Sequence, residues 1–226
     1  MTNSDHQAQD RCARELFENL SPEVRAVGAP PIPVLPEPWR LVPARADGTD
    51  LDLVHGWMNS PQVAPFWQQA WPRERWAAEL RTQLAGNYCR PFLLLLNERP
   101  IGYIELYRAA RDVVAHHYPA LPHDTGLHGA IGEPDLIGRG LAYRIWLHMI
   151  EAVFAADPHC RRMITDPAAD HQVARRLDAA VARKVGGAEL GEVELPHKRA
   201  ALYIYPRTPA DLPCSSDPDR RHPSNV

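Results

Sequence analysis

Ile137-Gly138-Arg139-Gly140-Leu141-Ala142 separates a run that reads as a strand, Gly126-Leu127-His128-Gly129-Ala130-Ile131, from an apolar-faced segment that reads as a helix from Leu141. Two glycines one residue apart ahead of a helix permit positive φ angles, so successive backbone N–H groups can turn to one side. They also omit the Cβ atoms that would hold a phosphate at a distance. Combined with the partial positive charge of a helix N-terminus, such a turn suits a pyrophosphate, and hence a nucleotide-tailed donor such as coenzyme A. A Gly-Arg-Gly turn before a helix is more often plain loop punctuation, so the flanking residues decide its meaning. His128 precedes the turn, and Asp166 closes the next apolar run, Arg162-Met163-Ile164-Thr165-Asp166.

From Leu141 to Ala155, Ala142, Ile145, Trp146, Met149, Ile150, Val153 and Phe154 share one face, with Arg144, His148 and Glu151 opposite. That spacing predicts an amphipathic helix lying on a sheet. A second such helix carries Val173, Leu177, Val181 and Val185 and ends at Gly186-Gly187. Upstream, Trp39 to Val42 reads as a strand, Asp50 to Asn59 and Arg73 to Leu84 as helices. Phe92 to Leu96 and Ile101 to Leu106 read as a central hairpin with the four-residue loop Asn97-Glu98-Arg99-Pro100. Strands from Ala188 to Leu195 and from Arg199 to Tyr205 finish the pattern. The order predicts an α+β fold, a mixed central sheet flanked by helices, with crossover helices needed only in its middle.

A chain of 226 residues with 45% hydrophobic residues can bury one substantial core. The compact domain is expected at residues 39–205, after a lead-in at 1–38 with a short helix from Arg11 to Leu20 and a Pro-rich stretch. Residues 206–226 read as a disordered polar tail. A net charge of −3 provides no general basic field, which argues against nucleic acid as partner. No apolar run is long enough for a membrane span, the N-terminus does not read as a leader, and Cys12, Cys89, Cys160 and Cys214 are scattered. A soluble, cytoplasmic protein with free thiols is expected. His116, His117, His123 and His128 lack the spacing and companion ligands of a metal site, so no metal is expected.

Further segments sharpen the picture: Gly56-Trp57-Met58-Asn59-Ser60-Pro61, Phe66-Trp67-Gln68-Gln69-Ala70-Trp71-Pro72, Tyr103-Ile104-Glu105-Leu106-Tyr107-Arg108-Ala109-Ala110, and His117-Tyr118 through Asp124. With the glycine turn, Gly126-Leu127-His128 and Asp166-Pro167, they resemble the siderophore-biosynthesis branch of the GNAT acyltransferases, whose members include lysine N-acyltransferases and N6-hydroxylysine acetyltransferases. The resemblance covers about Pro30 to Tyr205. It implies the GNAT acyl-CoA N-acyltransferase fold and transfer of an acyl group from acetyl-CoA or a longer acyl-CoA, or from an acyl carrier protein. The acceptor would be a small-molecule amine or hydroxylamine, the side-chain nitrogen of lysine, ornithine or an N-hydroxylated relative. It places the family's site histidine and aspartate on His128 and Asp166 and its phosphate loop on Gly138, Arg139, Gly140 and Leu141. Ile137 stands where the superfamily usually has Gln or Arg, and His171 where an Asn often follows the aspartate strand.

For such a transfer the attacking amine must be neutral, whereas a lysine-like amine has a pKa of about 10.4. Histidine titrates near neutral pH, which suits His128 to proton abstraction, with Asp166 orienting the imidazole or meeting the acceptor nitrogen. A hydroxylamine is a weaker base, so positioning matters more for it. The plain alternatives are a hydrogen-bonded core histidine and an aspartate that caps the next helix. Strand N–H groups from Gly129 to Ile131 are candidates for the developing oxyanion. Trp67 and Tyr107, with Trp71 and Trp76, are either pocket walls or core. Glu105, a carboxylate in an apolar strand, needs a partner, either the cationic acceptor or an internal Arg. Arg139, Arg175 and Arg176 meet donor phosphates or are solvated charges. Two other functions share parts of the pattern: an aminoglycoside-type N-acetyltransferase, favoured by a strongly acidic acceptor cleft, and a silent acyl-CoA-binding module.

Overall fold

A computed structural model describes residues 12, 14–16 and 18–213. After a short helix α1 (Pro22–Ala26), the chain forms β1 (Trp39–Pro43), α2 (Gly48–Met58), α3 (Ala64–Trp67), α4 (Arg73–Ala85), β2 (Cys89–Leu96), β3 (Arg99–Arg108) and β4 (Thr125–Ile131). It continues through α5 (Leu141–Ala156), β5 (Arg162–Thr165), α6 (Gln172–Val185), β6 (Ala188–Leu195) and β7 (Lys198–Pro206). Seven strands make one sheet in the order β1-β2-β3-β4-β5-β7-β6. Every pairing is antiparallel except β4 with β5. That one parallel step is the crossover that α5 spans.

The β4–β5 ladder is the feature that makes a site. Only Thr125 and Gly126 pair, with Met163 and Ile164, although β4 runs on to Ile131. The sheet therefore opens between the two strands at their C-terminal ends, the usual place for ligands beside parallel strands. Side chains of β3 and β4 alternate between two cores. Ile104, Leu106 and Leu127 join Ile145, Met149 and Val153 of α5 on one face. On the other face Tyr103 meets Trp76 and Leu80 of α4 and Val54 and Met58 of α2. With both faces covered, β3 is buried from Ile101 to Arg108, which explains the near-continuous apolar run in its sequence.

Four expectations need correction. The β2–β3 loop has two residues, Asn97 and Glu98, both at positive φ (48° and 65°), as a tight hairpin twisting with its strands requires. Arg99 and Pro100 are already in β3. The described part of the predicted Arg11–Leu20 helix includes a bridge from Glu15 to Asp112 rather than helix, while Arg11, Ala13 and Phe17 lie outside the described residues. Val173 is 64% exposed rather than packed, because it stands in the first turn of α6, where the chain lines an open cavity. Pro206 ends β7 instead of opening a tail, and buried Asp211 beyond it accepts a hydrogen bond from Arg161 at 2.5 Å. The rest of the predicted tail, residues 214–226, lies outside the described residues.

The lead-in from Gly28 is extended and serves as a row of acceptors. Arg108 donates to the carbonyls of Gly28 and Ala29, and Arg90 to that of Pro30. Among the described residues no helix is long and apolar enough to cross a membrane. Cys12, Cys89 and Cys160 are buried free thiols.

Candidate active site

A cavity of about 570 Å³ fills the opening between β4 and β5, a size suited to a cofactor-scale ligand. Gly138, Gly140 and Leu141 line one part of it, and His128, Asp166 and Trp67 another. Gly138 and Gly140 have φ of +77° and +71°, the left-handed conformation that the glycine spacing predicts. Gly140 is the N-cap of α5 and offers no side-chain acceptor, so the first N–H groups of this 16-residue helix face the cavity without a cap. An anion is the natural partner for that end. Ile131 lies on the same wall, and Ile137, 47% exposed, sits at its rim. Arg139 is exposed and not on the wall. Arg175 pairs with Glu189 and Glu192, whereas Arg176 does line the cavity.

A β-branched residue at Gly140 would have to hold positive φ, at a cost of about 1–3 kcal/mol. Gly140→Val is expected to raise the KM for acyl-CoA about tenfold. Steady-state kinetics with the acceptor saturating would check it; an unchanged donor KM would remove the turn from donor binding.

The ladder phase fixes which N–H groups of β4 reach the cavity. Gly132 donates to Ile101 O at one end and Ala109 donates to Asp124 O at the other. By the two-residue alternation of antiparallel pairs, residues 124, 126, 128, 130 and 132 bond to β3. The N–H groups of Leu127, Gly129 and Ile131 therefore point towards the opening. Gly129 and Ile131 are the oxyanion candidates among them.

His128 stands on the opposite face of β4 and is almost buried, 9% of its side chain remaining exposed. Its Nδ1 lies 3.2 Å from Glu105 Oε2, and its Nε2 lies 3.0 Å from Asp166 Oδ1 across the β4–β5 gap. The Tyr107 ring stacks on the imidazole at 4.4 Å between centroids, and Tyr107 Oη donates to Asp166 Oδ1 at 3.1 Å. This stacking depends on Gly126, which pairs with Tyr107 and whose missing Cβ would lie 2.0 Å from its ring.

Burial by itself would raise the Asp166 carboxyl. The Lys198 ammonium, then His128 and Arg14, overcome burial and hold it well below the usual carboxylate range. Lys198 Nζ is 3.1 Å from Asp166 Oδ2 and donates to the Asp166 carbonyl at 2.5 Å. Burial pulls Lys198 down in turn, partly offset by Asp166. Glu105 behaves similarly: burial opposes its charge, but His128, Arg14 and a 2.9 Å hydrogen bond from Gln83 leave it lowered. Two anionic carboxylates thus face the two nitrogens of one imidazole. Asp166 is not the cap of α6, a position held by His171.

Glu105 and Tyr107, expected to touch substrate, stand behind His128 beside a water-sized void and do not line the large cavity. The register explains it: Glu105 pairs with His128 and Tyr107 with Gly126, so both share the face of His128 but lie one strand further from the β4–β5 opening. Among the described residues Glu105 has no Arg in a direct hydrogen bond; its partners there are His128, Gln83 and Tyr103. The contact with His128 makes it a candidate for positioning the imidazole, and Glu105→Gln is expected to lower kcat about tenfold or more with acceptor KM little changed. A large rise in acceptor KM would restore a direct substrate role. Trp67 lines the large cavity as expected, Trp76 is core, and Trp71 is a partly buried neighbour stacked by Arg75.

Several wall residues escaped the sequence reading. Phe66 and His171 stack at 3.7 Å, joining α3 to the start of α6 over the cavity. Lys198 is the first residue of β7. Arg14 comes from the N-terminal segment, its Nη1 2.9 Å from His128 Nδ1 and 3.3 Å from Nε2.

Asp178 of α6 also lines the cavity. Burial pushes its carboxyl up to about 7, although Tyr205 Oη donates to it at 2.6 Å. Below about pH 4 the carboxyl is protonated in both folded and unfolded chains and has no effect on stability. As pH rises to about 7 only the unfolded chain releases the proton, so stability falls across that window. Asp178→Asn cannot ionise and keeps an acceptor for Tyr205. Its Tm relative to the parent is expected to rise between pH 4 and 7, and a pH-independent difference would contradict this.

Residues 47–195 match the acetyltransferase (GNAT) domain. The chain is 42% identical to the lysine N-acyltransferase MbtK of Mycobacterium sp. (strain MCS), over 96% of this chain and 86% of that protein. It is 32% identical to an N(6)-hydroxylysine O-acetyltransferase of Escherichia coli, over 70% of this chain and 49% of that longer protein. The crystal structure of aminoglycoside acetyltransferase AAC(6')-Ib in complex with coenzyme A shares the fold, with a TM-score of 0.63 at 23% identity over 75% of this chain and 95% of that one. An uncapped helix N-terminus and a carboxylate-bound histidine on one cavity, within a sheet opened between two parallel strands, agree with these matches. The chain is an acyl-CoA-dependent N-acyltransferase of the GNAT family, on the branch that holds the acyltransferases of siderophore biosynthesis.

Proposed function

We propose that the protein transfers an acyl group from acyl-CoA, or from the phosphopantetheine of an acyl carrier protein, to the side-chain nitrogen of lysine, ornithine or an N-hydroxylated relative, supplying the amide or hydroxamate of an iron chelator. One observation carries this reading: the open N-terminus of α5 and the His128–Asp166 pair share one cavity. The names of the relatives support the acceptor class.

In this reading the donor phosphates lie against the N–H groups around Gly138 to Leu141, and the thioester carbonyl turns its oxygen to the N–H groups of Gly129 and Ile131. Asp166 accepts a hydrogen bond from the incoming nitrogen, displacing His128 Nε2 from the carboxylate. His128 in its neutral form, its Nδ1 hydrogen donated to Glu105 and its Nε2 freed from Asp166, then takes at Nε2 the proton that the neutral attacking nitrogen loses as the N–C bond forms. The tetrahedral intermediate collapses with cleavage of the C–S bond, and the leaving thiolate takes that proton from His128, which returns to its neutral form. Asp166, held anionic by Lys198, offsets the positive charge gathering on the imidazole.

A polycationic acceptor would need an excess of negative charge in the cleft. Here Asp166 is matched by Lys198, and Arg14 adds another cation, so the aminoglycoside reading has no support from the site. Thiol release from acetyl-CoA and longer acyl-CoAs, measured with N6-hydroxylysine, N5-hydroxyornithine, lysine and kanamycin, tests the proposal. Turnover with an amino-acid acceptor is expected; turnover with kanamycin alone, or with nothing, would refute it.

A further inference from the structure

The N-terminal segment is strapped across the acceptor end of the cavity by contacts that lie away from the cavity wall. Cys12 is buried in a cluster with Tyr88, Cys89 and Tyr107. Leu16 N–H donates to Arg111 O at 2.8 Å, Glu15 forms an antiparallel bridge with Asp112, and the Glu15 carboxylate pairs with the Arg111 guanidinium. Between these ties the chain projects one cation inward. Arg14 touches His128 at 2.9 Å, its Nη2 donates to Trp67 O at 3.5 Å, and its guanidinium carbon lies 6.0 Å from the centre of the Trp67 ring. It stands on the walls of both the large cavity and the void behind His128.

An acceptor nitrogen that gives its proton to His128 has to reach the same ring. A lysine-like side chain arrives from solution as a cation, and the partners that would receive it are a carboxylate, a backbone carbonyl and an aromatic face. Arg14 already holds the Trp67 carbonyl and lies over the Trp67 ring, and the charges of Glu105 and Asp166 act on it without a direct bond to either. Two cations cannot occupy this place together without a repulsion that the low dielectric of the site magnifies.

We propose that Arg14 is an internal stand-in for the acceptor's cationic side chain, so that the strap formed by Cys12 and Arg14 to Leu16 and the substrate compete for the contacts around His128 and Trp67. This rests on the reading of the cavity as an acyl-transfer site with an amine acceptor. The competition reduces apparent acceptor affinity to the intrinsic affinity multiplied by the fraction of molecules in which the strap is open, and it favours acceptors able to replace a guanidinium. Arg14 thereby helps to set acceptor specificity.

Arg14→Met removes the cation and keeps an apolar stem of similar length. The acceptor KM is expected to fall about tenfold, with the acyl-CoA KM unchanged. Glu15→Ala, which loosens the strap and leaves the guanidinium in place, should move acceptor KM the same way by less. In calorimetry without any donor, butylguanidine should bind Arg14→Met one-to-one and bind the parent at least tenfold more weakly. A rise in acceptor KM in Arg14→Met would show that Arg14 grips the substrate instead of competing with it, and would overturn the proposal. Equal butylguanidine binding by parent and variant would overturn it too. Because calorimetry requires no turnover, a parent enzyme that fails to acylate lysine would sink the functional reading and leave this result separately readable.

Discussion

His128→Ala is expected to lower kcat by about 10²–10⁴-fold, the range for loss of a positioned proton acceptor. The effect should fall on kcat for an amine acceptor more than on the KM for acyl-CoA, because the N-terminus of α5 is untouched. It should also be smaller for a hydroxylamine, which is largely neutral before it binds. The geometry accounts for the size. The imidazole is held on three sides, by Glu105 at Nδ1, by Asp166 at Nε2 and by the Tyr107 ring, so no other described group can take over its position. Rates at saturating lysine and N6-hydroxylysine, with circular dichroism to verify folding, would check the expectation. Parental kcat in the variant would remove His128 from the chemistry.

Asp166→Asn is expected to produce the second large loss, again about 10²-fold or more in kcat. Two separate effects are combined here. The neutral amide cannot offset the charge that gathers on His128, and it leaves the buried Lys198 ammonium without its counter-ion. Breaking a buried pair by removing one partner costs about 3–5 kcal/mol of stability. The double variant Asp166→Asn with Lys198→Met should recover much of the lost Tm and none of the lost rate. Recovery of activity along with stability would mean that Asp166 serves the fold alone. Since Lys198 and His128 hold the Asp166 carboxyl well below the ordinary range, its protonation should not shape the rate profile at or above neutral pH.

The parts of this molecule that depend on neighbours in sequence were legible before the structure. The apolar face of α5 and the glycines before it are local signals: the face needs one partner, and positive φ at Gly138 and Gly140 is a property of those residues. His128 and Asp166 were readable as candidates because each ends or interrupts an apolar run beside that turn. Glu105 shows where such reasoning stops. A carboxylate amid Tyr103, Ile104 and Leu106 must have a partner, yet whether that partner is substrate or His128 depends on which face of β4 carries the imidazole. Lys198 and Arg14 were out of reach. Lys198 meets Asp166 only because β7 is placed beside β5, and Arg14 meets His128 across 114 positions of sequence. Long-range polar contacts of this kind leave no periodicity to read. The tight turn at Asn97-Glu98 was missed for another reason: Arg99 and Pro100 look like loop residues but tolerate the start of β3, where Arg99 is exposed and Pro100 half-buried.

The account's central claim is that one cavity presents the donor to the N-terminus of α5 and the acceptor nitrogen to His128 and Asp166. A bisubstrate compound, with the sulfur of coenzyme A joined through an acetyl bridge to lysine Nε, tests both halves at once by calorimetry. It is expected to bind about 10²-fold or more tightly than coenzyme A alone, and to lose affinity in both Gly140→Val and Asp166→Asn. An affinity equal to that of coenzyme A, unmoved by Asp166→Asn, would contradict the claim.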